Sequence, residues 1–392
     1  MSPGKWTSIG ILLVVECFAL SLWFVSAAIL PGMLAETAIS PFRQAALSSG
    51  VQLGFVAGAL VSAFAGLPDR FDPRRVLGLS AIAAGLVNLT LVVSEPGSAA
   101  AIAARFMTGA LLAGVYPVGM KIAVGWGEKD RGFLVGTLLG ALILGNALPH
   151  LFALTDGGDW RSTVLMASAA AIAAGLVAQL ASLGPHHARA ARFDPRVMIT
   201  AWSNRKIRLA YAGYFGHMWE LYSMWAWIAV IAALSYGRHM PEERAATLAS
   251  ITAFVSIASG AVASVVGGWR ADRIGKADVA LYAMAVSGIC AVLAAFAFGG
   301  PVWVVFAVIV LWGASVSPDS AQFSALVADN APAEQAGSLM TLQTALGFAL
   351  TFVTVQATPV LAEWWGWPAV IALMALGPAF GIYAMARLRA LD

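Results

Sequence analysis

The stretch LAYAGYFGHMWELYSMWAWIAVIAAL, residues 209–234, decides the fold. It is apolar, aromatic or small almost throughout, and it is longer than the roughly 20 residues that a helix needs to span a bilayer. The stretch therefore predicts a membrane-spanning helix. Within it stand His217 and Glu220. An ionisable side chain inside the hydrocarbon region costs free energy, so these two residues mark a candidate functional site.

The rest of the chain has the same character. Of 392 residues, 60% are hydrophobic and only 11% are charged, whereas soluble domains carry about 25% charged residues. Strands with alternating hydrophobicity are absent, so we expect an all-α integral membrane protein. Twelve segments are long and apolar enough to span the membrane. They cover about 9–30, 49–66, 76–93, 100–122, 133–153, 163–183, 208–234, 246–267, 279–298, 302–325, 338–361 and 368–386. No length remains for a soluble catalytic domain, so an enzyme is not expected.

The basic residues predict the orientation. With the N-terminus in the cytoplasm, eighteen Lys and Arg residues fall on the cytoplasmic side and four on the outer side, as the positive-inside rule requires. Both termini are then cytoplasmic, and we expect a bacterial inner-membrane protein. The basic residues are scattered among short loops, which argues against nucleic-acid binding. Cys17 and Cys290 both lie within spans, so no disulfide framework is expected.

The chain also contains an internal repeat. The longest polar connection, 184–207, separates six spans in 1–183 from six in 208–392, and we predict two six-helix bundles joined by a cytoplasmic linker. Glu16 precedes Trp23 by seven residues in span 1, and Glu220 precedes Trp227 by seven in span 7. Parallel repeats of this kind are one of the architectures of membrane transporters.

The loop sequence GWRADRIGK, residues 268–276 after span 8, resembles the cytoplasmic loop motif of the major facilitator superfamily. The copy after span 2, LPDRFDPRR at 67–75, is degraded, because Asp72-Pro73 stands where the family has glycine. The Arg105 side chain in span 4 is similar to the embedded arginine of that family. The resemblance implies a fold of two pseudo-repeats that works by alternating access, with spans 1, 4, 7 and 10 lining a central cavity.

Four ionisable residues are candidates for proton coupling. Glu16 and Glu220 lie near the middle of their spans, where apolar surroundings disfavour a charged carboxyl group. His217 lies three residues before Glu220 and can share its helix face, and Asp319 follows the helix-breaking Pro318. The alternative is that His217 and Glu220 form a satisfied structural pair, and that Asp319 only satisfies backbone groups freed by the proline.

A second group comprises candidates for substrate binding. Arg105 suits an anionic substrate, although it can also snorkel to the outer surface or hold helices together. Tyr116 precedes Pro117 at a predicted break in span 4, and Trp23 and Trp227 share a face with the two glutamates. Four further pocket candidates follow from the spans on which they lie: Asn146, His150, Gln322 and Gln343.

The loop motifs supply the candidates for gating. In the superfamily, charges of this motif pair across helix ends and stabilise one gating state. The matching residues here are Asp69, Arg70, Asp272, Arg273 and Lys276.

These features predict a monomeric secondary transporter for a small polar organic solute, with organic anions among the candidates, driven by proton symport. The alternatives are a proton-driven exporter of amphipathic or cationic compounds, an uncoupled facilitator and a transporter-like receptor. The expected partners are the solute, protons and membrane lipid. No phosphate-binding loop, metal-ligand spacing or cofactor motif is present in the sequence.

Overall fold

The computed structural model describes residues 4–65, 70–127, 130–155, 159–186, 197–332 and 335–391, except the side chains at positions 63, 131, 132 and 198. Twelve helical spans within these ranges are long and apolar enough to cross a membrane. We number them spans 1 to 12. They cover Lys5–Glu36, Pro41–Ser62, Pro73–Val92, Ala99–Val124, Phe133–Phe152, Trp160–Leu180, Arg205–Tyr236, Glu242–Ile274, Lys276–Ala297, Val302–Asn330, Ala336–Trp365 and Trp367–Arg389. The predicted all-α membrane fold is confirmed.

Several spans are interrupted near their middle. Span 1 consists of helices Lys5–Leu20 and Val25–Glu36, and span 4 consists of Ala99–Leu112 and Tyr116–Val124. Span 10 consists of Val302–Ser315 and Ser320–Asn330, so the breaks in spans 4 and 10 fall at their prolines, as the sequence predicts. Span 12 is interrupted at Ala375, between Trp367–Met374 and Leu376–Arg389. Span 7 is one continuous helix, Arg205–Tyr236.

The predicted boundaries differ most at span 2. Its helix begins at Pro41, eight residues before the predicted start, and runs as Pro41–Ala65. The early turns contain Arg43 and Gln44, which lower the local hydropathy, yet they continue the helix beyond the apolar core. Span 8 is likewise longer than predicted, because its polar first and last turns are helical.

Spans 2 and 11 pack along each other, as do spans 5 and 8, so the first six spans meet the last six along two long contacts. Spans 1 and 12 bring the two termini to one end of the bundle, which we call the terminal end; the opposite end is the far end. A short helix, Val197–Ser203, precedes span 7. The division into domains at 184–207 stays a prediction.

Candidate functional site

Glu220 lies inside the last six spans. It is 1% exposed, and both of its carboxyl oxygens have partners. Trp312 Nε1 on span 10 donates to Oε1 at 2.7 Å, and Ser287 Oγ on span 9 donates to Oε2 at 2.9 Å. Both partners are neutral. Among the described residues, the structure thus gives this buried carboxyl group two hydrogen-bond donors and no cation.

His217, one turn before Glu220 on span 7, and Asp319 on span 10 form a second polar group. His217 Nδ1 lies 3.0 Å from Asp319 Oδ1, and His217 Nε2 lies 2.9 Å from Ser320 Oγ. The imidazole and carboxyl atoms are close but not aligned for a hydrogen bond. Both residues are almost completely buried, and Asp319 is the N-cap residue immediately before the second helix of span 10.

The two groups are separate. Within the described residues, His217 and Glu220 bind different partners and do not bond with each other. Whether they serve proton coupling or hold span 7 against its neighbours stays a prediction. Glu220 points toward spans 9 and 10, whereas Trp227, two turns later on span 7, contacts spans 11 and 12. The Trp227 indole donates to the Val355 carbonyl oxygen at 3.2 Å and packs against Trp367.

Glu16 stands in a different environment from its counterpart Glu220. It is completely buried in span 1, and neither carboxyl oxygen has a hydrogen-bond partner among the described residues. The carboxyl group lies against Gly119 of span 4, where a Cβ atom would overlap Glu16 Oε1. Glycine at position 119 therefore makes room for the carboxyl group. Tyr116, at the break in span 4, lies within electrostatic range of Glu16.

Arg105 is also fully buried, so it does not snorkel to the surface. Its guanidinium donates to the carbonyl oxygens of Leu22 and Trp23 at 2.8 and 2.7 Å, where span 1 is broken. It also donates to Asn88 Oδ1 at 2.7 Å and reaches the Leu47 carbonyl oxygen at 3.4 Å. Arg105 thus joins spans 1 to 4 through neutral acceptors.

An aromatic cluster connects the two sets of six spans. It consists of Trp23 on span 1, Phe55 on span 2, Tyr222 on span 7 and Phe348 on span 11. The ring centroids of Trp23 and Phe348 are 5.3 Å apart, and those of Phe55 and Phe348 are 4.9 Å apart. Tyr222 packs against both Trp23 and Phe348. The cluster therefore packs the two sets of six spans against each other at this level.

Hydrogen bonds also join spans 2 and 11 nearer the far end. Ser49 Oγ on span 2 donates to Gln356 Oε1 on span 11 at 2.8 Å. Gln356 Nε2 donates to the Phe42 carbonyl oxygen, also at 2.8 Å. One glutamine side chain therefore binds two points on span 2.

Other predicted pocket residues are buried without complete hydrogen bonding. In the part of the chain that the structure describes, neither amide atom of Gln343 and neither ring nitrogen of His150 has a hydrogen-bond partner, and Asn146 Oδ1 lacks one. Gln322 makes only a long 3.5 Å contact with the carbonyl oxygen of Pro318. Buried polar atoms without partners are rare in folded proteins and need an explanation, of which a bound solute is one.

The predicted gating residues lie near the terminal end. Lys276 pairs with Asp329 at the end of span 10. Arg273 stacks over the Trp269 ring at 3.7 Å, whereas Asp272 is exposed and has no partner within the described part of the chain. Arg70 is exposed, and Asp69 lies outside the described residues.

The degraded motif copy has a local structural explanation. Asp72 accepts a hydrogen bond from the Arg74 backbone N–H at 2.9 Å and so caps span 3, while Pro73 occupies the first helical position. The Arg74 side chain also binds Asp72, and this interaction lowers the pKa of the carboxyl group below its ordinary value. Asp72-Pro73 therefore begins the helix of span 3 at the position where the family motif has glycine.

The sequence did not identify several of these partners. Ser287 and Asn88 lie on spans 9 and 3, which carry no acid, base or histidine in their interiors, and Trp312 stands in the apolar run VIVLWGA. No short-range pattern distinguishes them from packing residues. Among the described residues, no group of three or more His, Cys, Asp or Glu side chains is arranged to hold a metal ion.

Twelve spans with breaks, and buried polar groups on spans 1, 4, 7 and 10, define a membrane transporter. The family profile of the major facilitator superfamily matches residues 11–260. The chain belongs to this superfamily of transporters.

Solved structures support the same fold. The nucleoside transporter NupG has a TM-score of 0.73 and 11% identity, covering 98% of this chain and 100% of its own. The proton:xylose symporter XylE bound to 6-bromo-6-deoxy-D-glucose has a TM-score of 0.75 at 11% identity, covering 98% and 96%. XylE from E. coli in a partially occluded inward-open conformation has the same TM-score and identity, covering 98% and 99%. No curated protein sequence matches the chain.

Proposed function

We propose that the protein is a proton-coupled transporter of a small polar organic solute and that Glu220 carries the proton. The single observation that supports this most is the environment of Glu220, a buried carboxyl group held by two neutral donors. A buried carboxylate without a cation is costly. Proton uptake removes that cost, so this side chain is suited to exist in two protonation states.

The charge distribution favours a neutral or cationic solute over an organic anion. Arg105 is fully buried, and its donors are used by carbonyl oxygens and Asn88. The other Lys and Arg residues of the described spans lie near span ends. An anion would find no free cation midway along these spans. Binding groups for a neutral solute are available in the unpartnered amide of Gln343 and imidazole of His150.

The contacts between the halves are consistent with alternating access. With cytoplasmic termini, the aromatic cluster and the Gln356 hydrogen bonds lie toward the outer side, and this conformation is closed to the outside. The exposed Asp272 has no partner here, which fits a motif that pairs only in the opposite conformation. A monomer in a bacterial inner membrane remains our proposal for the assembly and location.

A proton-driven exporter of amphipathic cations is the second candidate. It is favoured by three buried acids, Glu16, Glu220 and Asp319, together with the aromatic cluster, because cations are attracted to acids and to aromatic faces. The direction of proton movement distinguishes this candidate from symport.

The test uses proteoliposomes with a pH dye inside. Pools of sugars and nucleosides, monocarboxylates, dicarboxylates, amino acids and amphipathic cations are added outside. Symport predicts internal acidification by one pool, whereas cation exchange predicts alkalinisation. The response should be lost in Glu220→Gln and retained in Glu363→Gln, which changes an exposed glutamate on span 11. Solute flux that proceeds without any proton movement would contradict the proposal.

A further inference from the structure

The hydroxyl group of Ser287 has two acceptors in reach. Its Oγ lies 2.9 Å from Glu220 Oε2 and 3.2 Å from the carbonyl oxygen of Met284, one turn earlier on span 9. A serine hydroxyl carries one proton and can accept hydrogen bonds through its lone pairs. It can therefore donate to only one of the two oxygens at a time.

Trp312 differs from Ser287, because an indole N–H is a donor only. It occupies Glu220 Oε1 at 2.7 Å. A proton on Oε1 would point toward a group that cannot accept it. A proton on Oε2 would face Ser287 Oγ, which can. The two neighbours thus determine which carboxyl oxygen of Glu220 becomes the hydroxyl.

Other titratable groups surround this site. Asp319 on span 10 and Cys290 on span 9 lie within electrostatic range of Glu220, and His217 lies one turn away on span 7. Within the described residues, none of the three is hydrogen-bonded to Glu220. Spans 8, 11 and 12 also pack against span 7, and they carry no charged residue in their middle turns. The hydrogen-bond partners that face the Glu220 carboxyl group are therefore Ser287 and Trp312.

We propose that Ser287 reverses its hydrogen bond with Glu220 each time the glutamate gains or loses a proton. When a proton from water binds Oε2, the Ser287 hydroxyl turns its own proton from Oε2 to the Met284 carbonyl oxygen. The new Oε2–H then donates to Ser287 Oγ, and the Trp312 bond to Oε1 stays. One O–H bond forms on Glu220 while one O–H bond of the hydronium ion that delivers the proton breaks and releases water, and no other covalent bond changes. The inference rests on the proposed proton uptake by Glu220.

The consequence is a carboxyl group whose two protonation states are both fully hydrogen-bonded. Leaving a buried donor or acceptor without a partner destabilises a protein, and this exchange avoids it in either state. Spans 7 and 9 therefore remain connected while the proton is carried. Ser287 acts as a positioning residue that keeps both states accessible.

The test is an infrared pH titration of the full-length protein in detergent, without solute. The carboxylic C=O band of Glu220 is assigned by its absence in Glu220→Gln. Trp312 is replaced by benzothienylalanine, which keeps the bicyclic ring but lacks the N–H. A lost donor to a carboxylate should move the pH midpoint of the band up by about one unit or more.

Ser287→Ala should behave differently, because it removes a donor from the charged form and an acceptor from the neutral form. We expect less than half of the midpoint shift seen at Trp312, together with a C=O band at higher wavenumber. Ser287→Thr, which keeps the hydroxyl, should restore both values. A full midpoint shift with an unchanged band in Ser287→Ala would show that Ser287 is only a donor, and would overturn the exchange alone. The absence of any titrating Glu220 band would overturn the proposed function as well.

Discussion

Nη2 of Arg105 lies 2.7 Å from the carbonyl oxygen of Trp23, at the point where span 1 is broken. A break in a membrane helix exposes backbone carbonyl groups that have no water to bind. Arg105 satisfies two of them and links the break to span 3 through Asn88. The residue that most suggested an anion site therefore stabilises the first half of the fold in this conformation.

This arrangement predicts the effect of Arg105→Gln. The change leaves several buried acceptors without donors, at roughly 1–3 kcal/mol each, so we expect the free energy of unfolding in detergent to fall by about 3 kcal/mol or more. Arg161→Gln, at a more exposed pair with Glu36, should lower the free energy of unfolding much less, because solvent and salt screen exposed ion pairs. Unchanged stability with lost solute binding would instead make Arg105 a substrate anchor.

Substitutions of His217 and Asp319 should have non-additive effects on the free energy of unfolding. Because the two side chains approach within 3.0 Å in a buried site, changing either should affect the environment of the other. We expect His217→Gln, Asp319→Asn and the double variant to give a coupling energy of about 0.5–3 kcal/mol in unfolding experiments. Additive effects would mean that the two groups act independently.

Replacing Gln356 should change the equilibrium between the outward-closed and the open conformation. Gln356→Leu removes two hydrogen bonds to span 2, worth about 1 kcal/mol each. We expect the outward-closed population to fall relative to the open one by roughly 10–30-fold. The readout is the labelling rate of Gln52→Cys, a buried position on span 2, in a background without Cys17 and Cys290. Labelling from the far end should accelerate, and an unchanged rate would remove Gln356 from the gate.

Replacing Asp272 should slow transport without destabilising the fold. It is exposed and has no partner within the described residues, so Asp272→Asn should change the free energy of unfolding by less than about 0.5 kcal/mol. If Asp272 makes a charge-assisted bond in the other conformation, worth roughly 1.5 kcal/mol, transport should slow by about tenfold. Normal transport in this variant would contradict a gating role.

The sequence predicted the helix count, the breaks at Pro117 and Pro318, and the burial of Glu16 and Glu220. These features follow from apolar length, from the missing proline N–H and from the scarcity of ionisable residues in spans. They are local properties of the chain, so a single sequence contains them.

The partners of the buried groups could not be predicted in the same way. Helical spacing places Glu220 and Trp227 on one face, but it does not say which neighbouring span that face meets. Ser287, Trp312 and Asn88 became visible only when the spans were packed together. The interiors of spans 3 and 9 lack acids, bases and histidines, yet each supplies a polar partner to an ionisable residue on another span.

The most direct test of the account compares uphill transport with exchange in proteoliposomes containing Glu220→Gln. Once the solute pool is known, the account predicts that the variant still exchanges labelled for unlabelled solute across the membrane. It should, however, no longer accumulate solute in response to an imposed proton gradient, whereas Glu363→Gln does both. Proton-driven accumulation by Glu220→Gln at the wild-type level would show that Glu220 is structural and that the proton is carried elsewhere.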